Sequence, residues 1–162
     1  MEVFHGSDII VDKPQILTAN RLLDFGEGFY TTSSYEQAKR WAQKVSIRRK
    51  TSAQIITKYN FNLEAAQKNL KIIEFLRPDQ EWLDFITACR NGKLPLIDYD
   101  IAIGPVANDT VYSTIRLYET GVLNQAETVA RLKVETIGNQ ILFHTAAALP
   151  YCKFLNAEQI YG

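Results

Sequence analysis

The chain has 162 residues, of which 46% are hydrophobic and 22% are charged, a composition that is ordinary for a folded soluble protein. Its 18 basic and 18 acidic side chains cancel, so no global field attracts nucleic acid or anionic lipid, and binding to either would have to be local. This length predicts a single domain, 1–162, whose core needs neither a metal ion nor a disulfide.

The start of the chain and its few cysteines and histidines bear on compartment and cofactor. Residues 1–5 lack a basic region followed by an apolar one, and no apolar run approaches the roughly 18 residues of a membrane span. We therefore expect a cytoplasmic protein with no membrane association, or one delivered to a target cell without a signal peptide in this chain. Cys89, Cys152 and the two histidines are too far apart in sequence to match a metal-binding motif, so no metal is expected.

Turn signals and hydrophobic periodicity predict short strands and helices in mixed order. Strands are predicted at 3–7, 28–31, 53–61, 99–106, 140–145 and 153–160, and helices at 35–49, 78–90, 111–120 and 125–133. The segment 70–75 fits either a strand or a short helix, because so short a segment shows no decisive periodicity. Without regular βαβ alternation, this pattern favours the α+β class over a doubly wound sheet.

A glycine-rich stretch at 24–32, with the sequence Asp-Phe-Gly-Glu-Gly-Phe-Tyr-Thr-Thr, precedes the first predicted helix. Its two glycines permit a close backbone approach that side chains would obstruct, and the aromatic pair that follows is typical of a strand. Helical spacing places Trp41 on the same helix face as Ala38 and Ala42, so Tyr30 and Trp41 could form two walls of a cleft. The alternative is a glycine turn that leads into a core strand and a core helix, with both aromatic rings as packing residues.

Three short motifs occur in a defined order: His5-Gly6-Ser7, then Gly26-Glu27-Gly28-Phe29-Tyr30, and late in the chain Asn139-Gln140. In order and spacing they resemble the ADP-ribosyltransferase superfamily, in the branch of diphtheria toxin and the poly(ADP-ribose) polymerases, and especially its small bacterial toxin-like members. In that branch a His-Gly pair on the first strand precedes a Gly-x-Gly-aromatic-Tyr stretch, and a late Glu completes a His-Tyr-Glu set. The resemblance covers nearly the whole chain and implies a split β-sandwich of two small, mostly antiparallel sheets with flanking helices.

The resemblance also implies a site for NAD, used as a co-substrate without a metal ion. The residues expected to contact NAD are His5, Gly6, Ser7, Gly28, Phe29, Tyr30 and Trp41. Gly6 would pair its backbone amide and carbonyl with the nicotinamide carboxamide, while Ser7 would add a hydroxyl hydrogen bond and His5 would hold a ribose hydroxyl. Tyr30 would stack on the nicotinamide, with Trp41 on the opposite wall. As alternatives, His5 could be bonded to backbone at a strand end, and Ser7 could be a turn or capping hydroxyl.

The chain departs from the family pattern at the late strand, where Gln140 stands in the position of the catalytic glutamate. A glutamine can hold the ribose 2′-hydroxyl, but it can neither stabilise positive charge as a carboxylate does nor deprotonate an acceptor. Asp109 is the expected substitute, because it lies at the end of a predicted buried strand; an N-cap or first-turn role in the next helix is the alternative. The predicted catalytic residues are therefore His5, Tyr30, Gln140 and Asp109. Strand alternation predicts that Gln140 faces a cleft while Ile141 and Phe143 face the core.

The resemblance implies a mono-ADP-ribosyltransferase that uses NAD to modify a macromolecular target, in the manner of a bacterial toxin or effector. As acceptor we expect a protein in preference to a nucleic acid, and toxin-like relatives often have a small antitoxin-like partner. The first alternative is an NAD-binding or interaction domain of the same fold that lacks transferase activity, with Gln140 as the mark of that loss. The second is an unrelated structural α+β domain.

Overall fold

The computed structural model describes residues 1–18, 23–93, 97–107, 109–132 and 138–161, without the side chains at 109, 110 and 112. The strands in these ranges are β1 (Glu2–Ser7), β2 (Phe29–Thr31), β3 (Gln54–Phe61), β4 (Ile72–Glu74), β5 (Ile101–Pro105), β6 (Asn139–Phe143) and β7 (Cys152–Ile160). The helices are α1 (Tyr35–Arg49), α2 (Leu63–Asn69), α3 (Gln80–Arg90), α4 (Asp109–Glu119) and α5 (Gln125–Leu132), and a short 3-10 helix (Leu149–Tyr151) precedes β7.

The strands form two sheets. The three-stranded sheet has the order β1-β3-β7 and is antiparallel. The four-stranded sheet has the order β2-β6-β5-β4, in which β4 and β5 are parallel and the other neighbours are antiparallel. The predicted α+β class, with two small and mostly antiparallel sheets accompanied by helices, is thereby confirmed.

A single β-bridge within the described residues connects the two sheets. Phe4 of β1 and Thr32, which follows β2, exchange both backbone hydrogen bonds, at N–O distances of 2.8 and 2.9 Å. Residues directly opposite each other in an antiparallel pair point to the same side, and side chains alternate along each strand. Because Tyr30 pairs with Leu142 of β6, the same register places Tyr30 and Gln140 on the side to which Phe4 points.

An apolar core fills the space between the two sheets, and we refer to it as the inner core. Its buried members come from one face of each sheet and include Val3, Tyr59 and Phe61 together with Phe29, Ile101, Ile141 and Phe143. Several of these aromatic rings meet edge to face, as Phe61 and Phe143 do at 5.0 Å between ring centres. This packing holds the two sheets against each other.

Helices cover the outer faces of both sheets. Over the four-stranded sheet, α3, α4 and α5 bury a second apolar cluster, the outer core, which includes Trp82, Leu83, Phe85, Ile86, Val111, Ile115, Leu132 and Leu142. Over the three-stranded sheet lies α1, whose Ala38 packs with Phe4 and Ile56. The Ser34 side chain caps α1 by accepting from the Gln37 amide. α1 therefore covers one sheet and α3, α4 and α5 cover the other, and the Phe4–Thr32 bridge lies at the boundary between these two helical layers.

The predicted elements agree with the observed ones apart from one helix. The seven-residue helix α2 was not predicted, since Ala66 is its one buried residue and so short a segment gives no helical periodicity. Its start is set by Asn62, whose side chain accepts from the Ala65 amide at 3.1 Å. The segment 70–75, for which strand and helix were both open, contains the strand β4. In the described ranges, no helix is long and apolar enough to cross a membrane.

Candidate functional site

The candidate site lies where β1 and β2 separate. Beyond the Phe4–Thr32 bridge the two strands no longer pair within the described chain, although the register of that bridge would bring Gly6 opposite Tyr30. Backbone groups alternate in direction along a strand, so the Gly6 amide and carbonyl face the β2 edge, as those of Phe4 do. On that edge the Tyr30 carbonyl is bonded by the side chain of His5 instead of by a strand. The junction thus leaves a hydrogen-bonding edge at Gly6 that no described strand pairs with.

The His5 imidazole spans this gap. Its Nδ1 lies 2.7 Å from the Tyr30 carbonyl oxygen, and because a carbonyl can only accept, Nδ1 carries the hydrogen and Nε2 is left as an acceptor. The ring also lies against Phe29, with 4.7 Å between ring centres. Burial lowers the pKa of His5, the bond to Tyr30 opposes this, and the charge of Arg49 lowers the pKa further. Neutral imidazole therefore holds the junction at neutral pH, and the predicted bond to a ribose hydroxyl would use Nε2.

Gly6 is required by helix packing. A Cβ built on this residue would overlap the carbonyl oxygen of Ala38 and lie 2.7 Å from the Ala42 amide nitrogen, so the backbone of α1 rests directly on β1. Since α1 covers its face, the groups that Gly6 can offer to a ligand are the amide and carbonyl on the strand edge. These are the groups predicted to pair with the nicotinamide carboxamide.

Ser7 is buried and points to the opposite side of β1 from Gly6. Its hydroxyl donates to an oxygen of Asp8 at 3.4 Å. The Asp8 carboxylate in turn forms a salt bridge with Nη1 of Arg49 at 2.7 Å and accepts a hydrogen bond from the Thr51 hydroxyl at 3.3 Å. The Ser7 hydroxyl thus has its own partner in the chain, and its predicted contact with the carboxamide stays a prediction.

The Tyr30 side chain is fixed by its hydroxyl. This group donates to the Gly26 carbonyl at 2.5 Å and accepts from the Phe25 amide at 3.1 Å. Burial raises the pKa of Tyr30 well above its ordinary value; the Phe25 amide opposes this rise and the charge of Asp24 adds to it. The ring packs against the outer core and is half-buried. Tyr30 is therefore a neutral, preorganised aromatic surface beside the junction.

The glycine-rich stretch folds over the end of β6. A Cβ on Gly28, whose φ is 145°, would overlap the carbonyl oxygen of Phe143. Next to it, Nδ1 of His144 donates to the Glu27 carbonyl at 2.6 Å. The close approach that Gly28 permits is therefore made by the chain's own strand β6. Phe29 turns its ring into the inner core and pairs with Phe143 of β6, so its predicted contact with NAD stays a prediction.

The first turns of α1 are tied to the start of β6. Nε2 of Gln37 donates to the Asn139 carbonyl at 2.7 Å, and the Asn139 side chain accepts from the hydroxyls of Thr32 and Ser33. Trp41 follows Gln37 by one helical turn and is half-buried. Helical spacing therefore places Trp41 on the same side of α1 as Gln37, and its role as the opposite wall of a nicotinamide site stays a prediction.

Gln140 is 4% exposed, and its amide is used within the chain. Its Nε2 donates to Oδ2 of Asp24 at 3.2 Å and to the Pro105 carbonyl at 3.3 Å. Asp24 is 5% exposed, and the same carboxylate oxygen accepts from the Ala107 amide at 3.3 Å. Gln140 thus points away from Ile141, which lies in the inner core, but the partner that the structure gives it is a buried carboxylate.

Asp24 is the candidate that sequence reasoning missed. The sequence shows a single aspartate ahead of a glycine pair, and nothing in it indicates that the carboxylate turns toward a strand residue 116 positions later. Asp109, the predicted substitute for the glutamate, begins α4, but its side chain lies outside the described residues and its role stays a prediction. Asp98 and Asp100 contact Lys71 near the other end of β5 from Gln140.

Two surface cavities, of about 420 and 510 Å³, lie away from the junction. The first is lined by Asn60, Asn62, Ala65, Ala147, Pro150, Tyr151 and Lys153, and the second by Gln80, Gln125, Ala126, Val129 and Ala130. Neither is lined by Gly6, Tyr30 or Gln140. Among the described side chains, no group of three or more His, Cys, Asp or Glu is placed to hold a metal ion. The candidate site is therefore the junction, with its backbone edge and its polar cluster.

The fold is α+β, with a polar junction between two small sheets. Residues 1–154 match the model of a family described as proteins of unknown function, DUF3990. Because the match spans nearly the whole chain, the chain belongs to the DUF3990 family. No match was found among curated proteins or among solved structures. The family description names no activity.

Proposed function

We propose that the chain is a mono-ADP-ribosyltransferase that uses NAD, built on the split β-sandwich of that superfamily. The observation that carries the proposal is the bond from His5 to the Tyr30 carbonyl across the gap between the sheets. It brings the His-Gly pair of the first strand to the glycine-rich stretch, with Gln140 on the Tyr30 side of the neighbouring strand. Had His5 and Tyr30 been on opposite sides of the molecule, the proposal would have failed.

The junction offers the groups that nicotinamide needs. A carboxamide pairs well with one backbone amide and one carbonyl on a strand edge, and Gly6 presents both toward the gap. In the proposed site Tyr30 would provide an aromatic face on one side, and the half-buried Trp41 of α1 would provide the other. In support of the proposal, the His5 side chain is bonded to the Tyr30 carbonyl and Gly6 is the next residue of β1.

The reaction breaks the bond between ribose C1′ and the nicotinamide nitrogen. The electron pair of that bond leaves with nicotinamide, which departs neutral, and C1′ acquires oxocarbenium character until the acceptor attacks and loses its proton. Such a reaction is accelerated by holding the ribose and by negative charge near C1′. The acceptor is proposed to be a protein, and the toxin-like role and small antitoxin-like partner belong to the same proposal. These last points rest on the family resemblance alone.

Two measurements test the proposal. Saturation-transfer NMR with NAD should show contacts at the nicotinamide ring, and labelled NAD mixed with a cell lysate should label one or more macromolecules. Tyr30→Ala should weaken NAD binding by about 1–3 kcal/mol, the usual value of an aromatic stacking surface. Tyr30→Phe, the matched control, keeps the ring and loses only the hydroxyl bonds to the glycine-rich stretch. Unchanged NAD binding in a folded Tyr30→Ala protein would show that the ring is a packing residue.

A second function has one observation in its favour. The Gln140 amide, which the family resemblance aligns with the catalytic glutamate, is hydrogen-bonded to Asp24 and Pro105 within the chain. A chain of this kind could bind NAD as an interaction domain and leave it intact. The lysate experiment separates the two functions: NMR contacts with NAD, combined with no transferred label and no free nicotinamide, would favour the binding domain.

A further inference from the structure

We infer that Asp24 supplies the carboxylate of this site and that Gln140 positions it, an inference that rests on the proposed transferase function. The family pattern places a carboxylate on the late strand at position 140. Here the carboxylate lies across from that strand, 3.2 Å from the glutamine that replaced the glutamate. The site would then keep its negative charge and change the residue that carries it.

The hydrogen bonds of Gln140 explain why a glutamine stands there. Its two neighbours, the Asp24 carboxylate and the Pro105 carbonyl, are both acceptors, and the side-chain amide donates one hydrogen to each. A glutamate at 140 would add a third acceptor and no donor, and two carboxylates at this distance cannot both be ionised cheaply. Asp24 and a glutamine at 140 therefore form a matched pair, whereas Asp24 and a glutamate at 140 do not.

The position of Asp24 also suits the chemistry. The next residues in the chain, Phe25 and Gly26, are hydrogen-bonded to the Tyr30 hydroxyl, so the carboxylate and the stacking ring belong to one hydrogen-bonded stretch. Asp24 already contributes to the raised pKa of Tyr30 through its charge. A buried carboxylate stabilises positive charge nearby more strongly than one in water, because less solvent screens it. In the proposed site this negative charge, which already acts on the Tyr30 hydroxyl, would stabilise a C1′ oxocarbenium held against the Tyr30 ring.

The test is a four-protein cycle: wild type, Asp24→Asn, Gln140→Glu, and the double variant that carries both changes. NAD cleavage, NAD affinity and thermal unfolding are measured on each. Asp24→Asn should lose about a hundredfold in cleavage rate, the usual effect of removing one electrostatic group, with NAD affinity nearly unchanged. Gln140→Glu should unfold at lower temperature at neutral pH and regain stability when acid protonates one of the two carboxylates. The double variant should recover stability, because it restores one carboxylate and one amide.

The possible outcomes distinguish a failure of the Asp24 role from a failure of the proposed transferase function. A wild type that neither binds nor cleaves NAD overturns the proposed function. A wild type that cleaves NAD, with Asp24→Asn equally active, overturns only the role of Asp24. Loss of cleavage in Asp109→Asn, with full activity in Asp24→Asn, moves the role to Asp109. Loss of activity in Asp24→Asn that is matched by loss of NAD affinity and of thermal stability shows a structural residue and also overturns the inference.

Discussion

The two faces of β6 show how one strand can serve both stability and a site. On the inner face, Ile141 and Phe143 are buried among apolar side chains from both sheets. On the outer face, Gln140 is equally buried, yet it has two polar acceptors as neighbours. Apolar contacts tolerate many replacements of similar size, whereas a buried polar pair requires a particular partner. The inner face should therefore determine whether the two sheets stay together, and Gln140 on the outer face should bear on what the chain can do.

The largest expected effect comes from the inner face. Phe143→Ala should lower the free energy of unfolding by about 3–5 kcal/mol, because it opens a cavity between the two sheets. Urea unfolding measures this change, and Leu155→Ala, at a side chain 47% exposed on the edge strand β7, is the control, with an expected change within about 0.5 kcal/mol. Similar losses of unfolding free energy in both variants would contradict the view that β6 is tightly packed and the edge strand β7 tolerates substitution.

The next largest effect tests the contact between β1 and α1. Gly6→Ala should cost about 3 kcal/mol and abolish NAD binding, since its Cβ would collide with the Ala38 carbonyl and displace α1 from the junction. The matched control is Gly121→Ala, because a Cβ at this position has nothing within 4 Å. The φ of Gly121 is 79°, so the left-handed conformation alone should lower the free energy of unfolding, by about 1 kcal/mol. NAD titration of a folded Gly6→Ala protein decides the second half of the prediction.

A smaller effect is expected at the polar pair. Gln140→Ala should reduce the free energy of unfolding by about 1–3 kcal/mol, because it takes a donor from the buried Asp24 carboxylate. Gln159→Ala removes the same side chain from an exposed strand position and should change little. Equal behaviour of the two glutamines in urea unfolding would mean that the outer face is as tolerant as a surface strand.

The smallest effect is a dependence of stability on pH. Burial lowers the pKa of His5 below its ordinary value of 6.5, so between those two pKa values the unfolded chain binds a proton that the folded chain does not. The contribution of neutral His5 to the free energy of unfolding is complete above pH 6.5. It is lost as the pH falls toward the pKa of His5 in the folded chain. Urea midpoints at pH 7.5 and 5.5 should show this loss, and His5→Asn, which keeps a donor for Tyr30, should reduce it. An identical pH dependence in both proteins would assign the titration to another group.

Much of this architecture was predictable because local patterns determine it. Alternation along β6 gave the inward direction of Ile141 and the outward direction of Gln140, and apolar spacing located α1 and α3. The contact between Gly6 and α1 could not be predicted, since it depends on how a helix packs across a strand. The pair of Asp24 and Gln140 was also beyond the sequence, because it depends on the conformation of a loop distant in the chain.

The register of β2 has a consequence for the order in which the protein acquires its site. β1 can pair with β3 once residue 61 has been synthesised, but β2 has Phe143 and its neighbours as strand partners, more than a hundred residues later. Contacts this distant in sequence form late and slowly. A ribosome-bound chain that ends before β6 therefore holds its His-Gly strand without the four-stranded sheet that completes the junction. If the protein consumes NAD, the cell that makes it is exposed to that activity only after β6 has emerged.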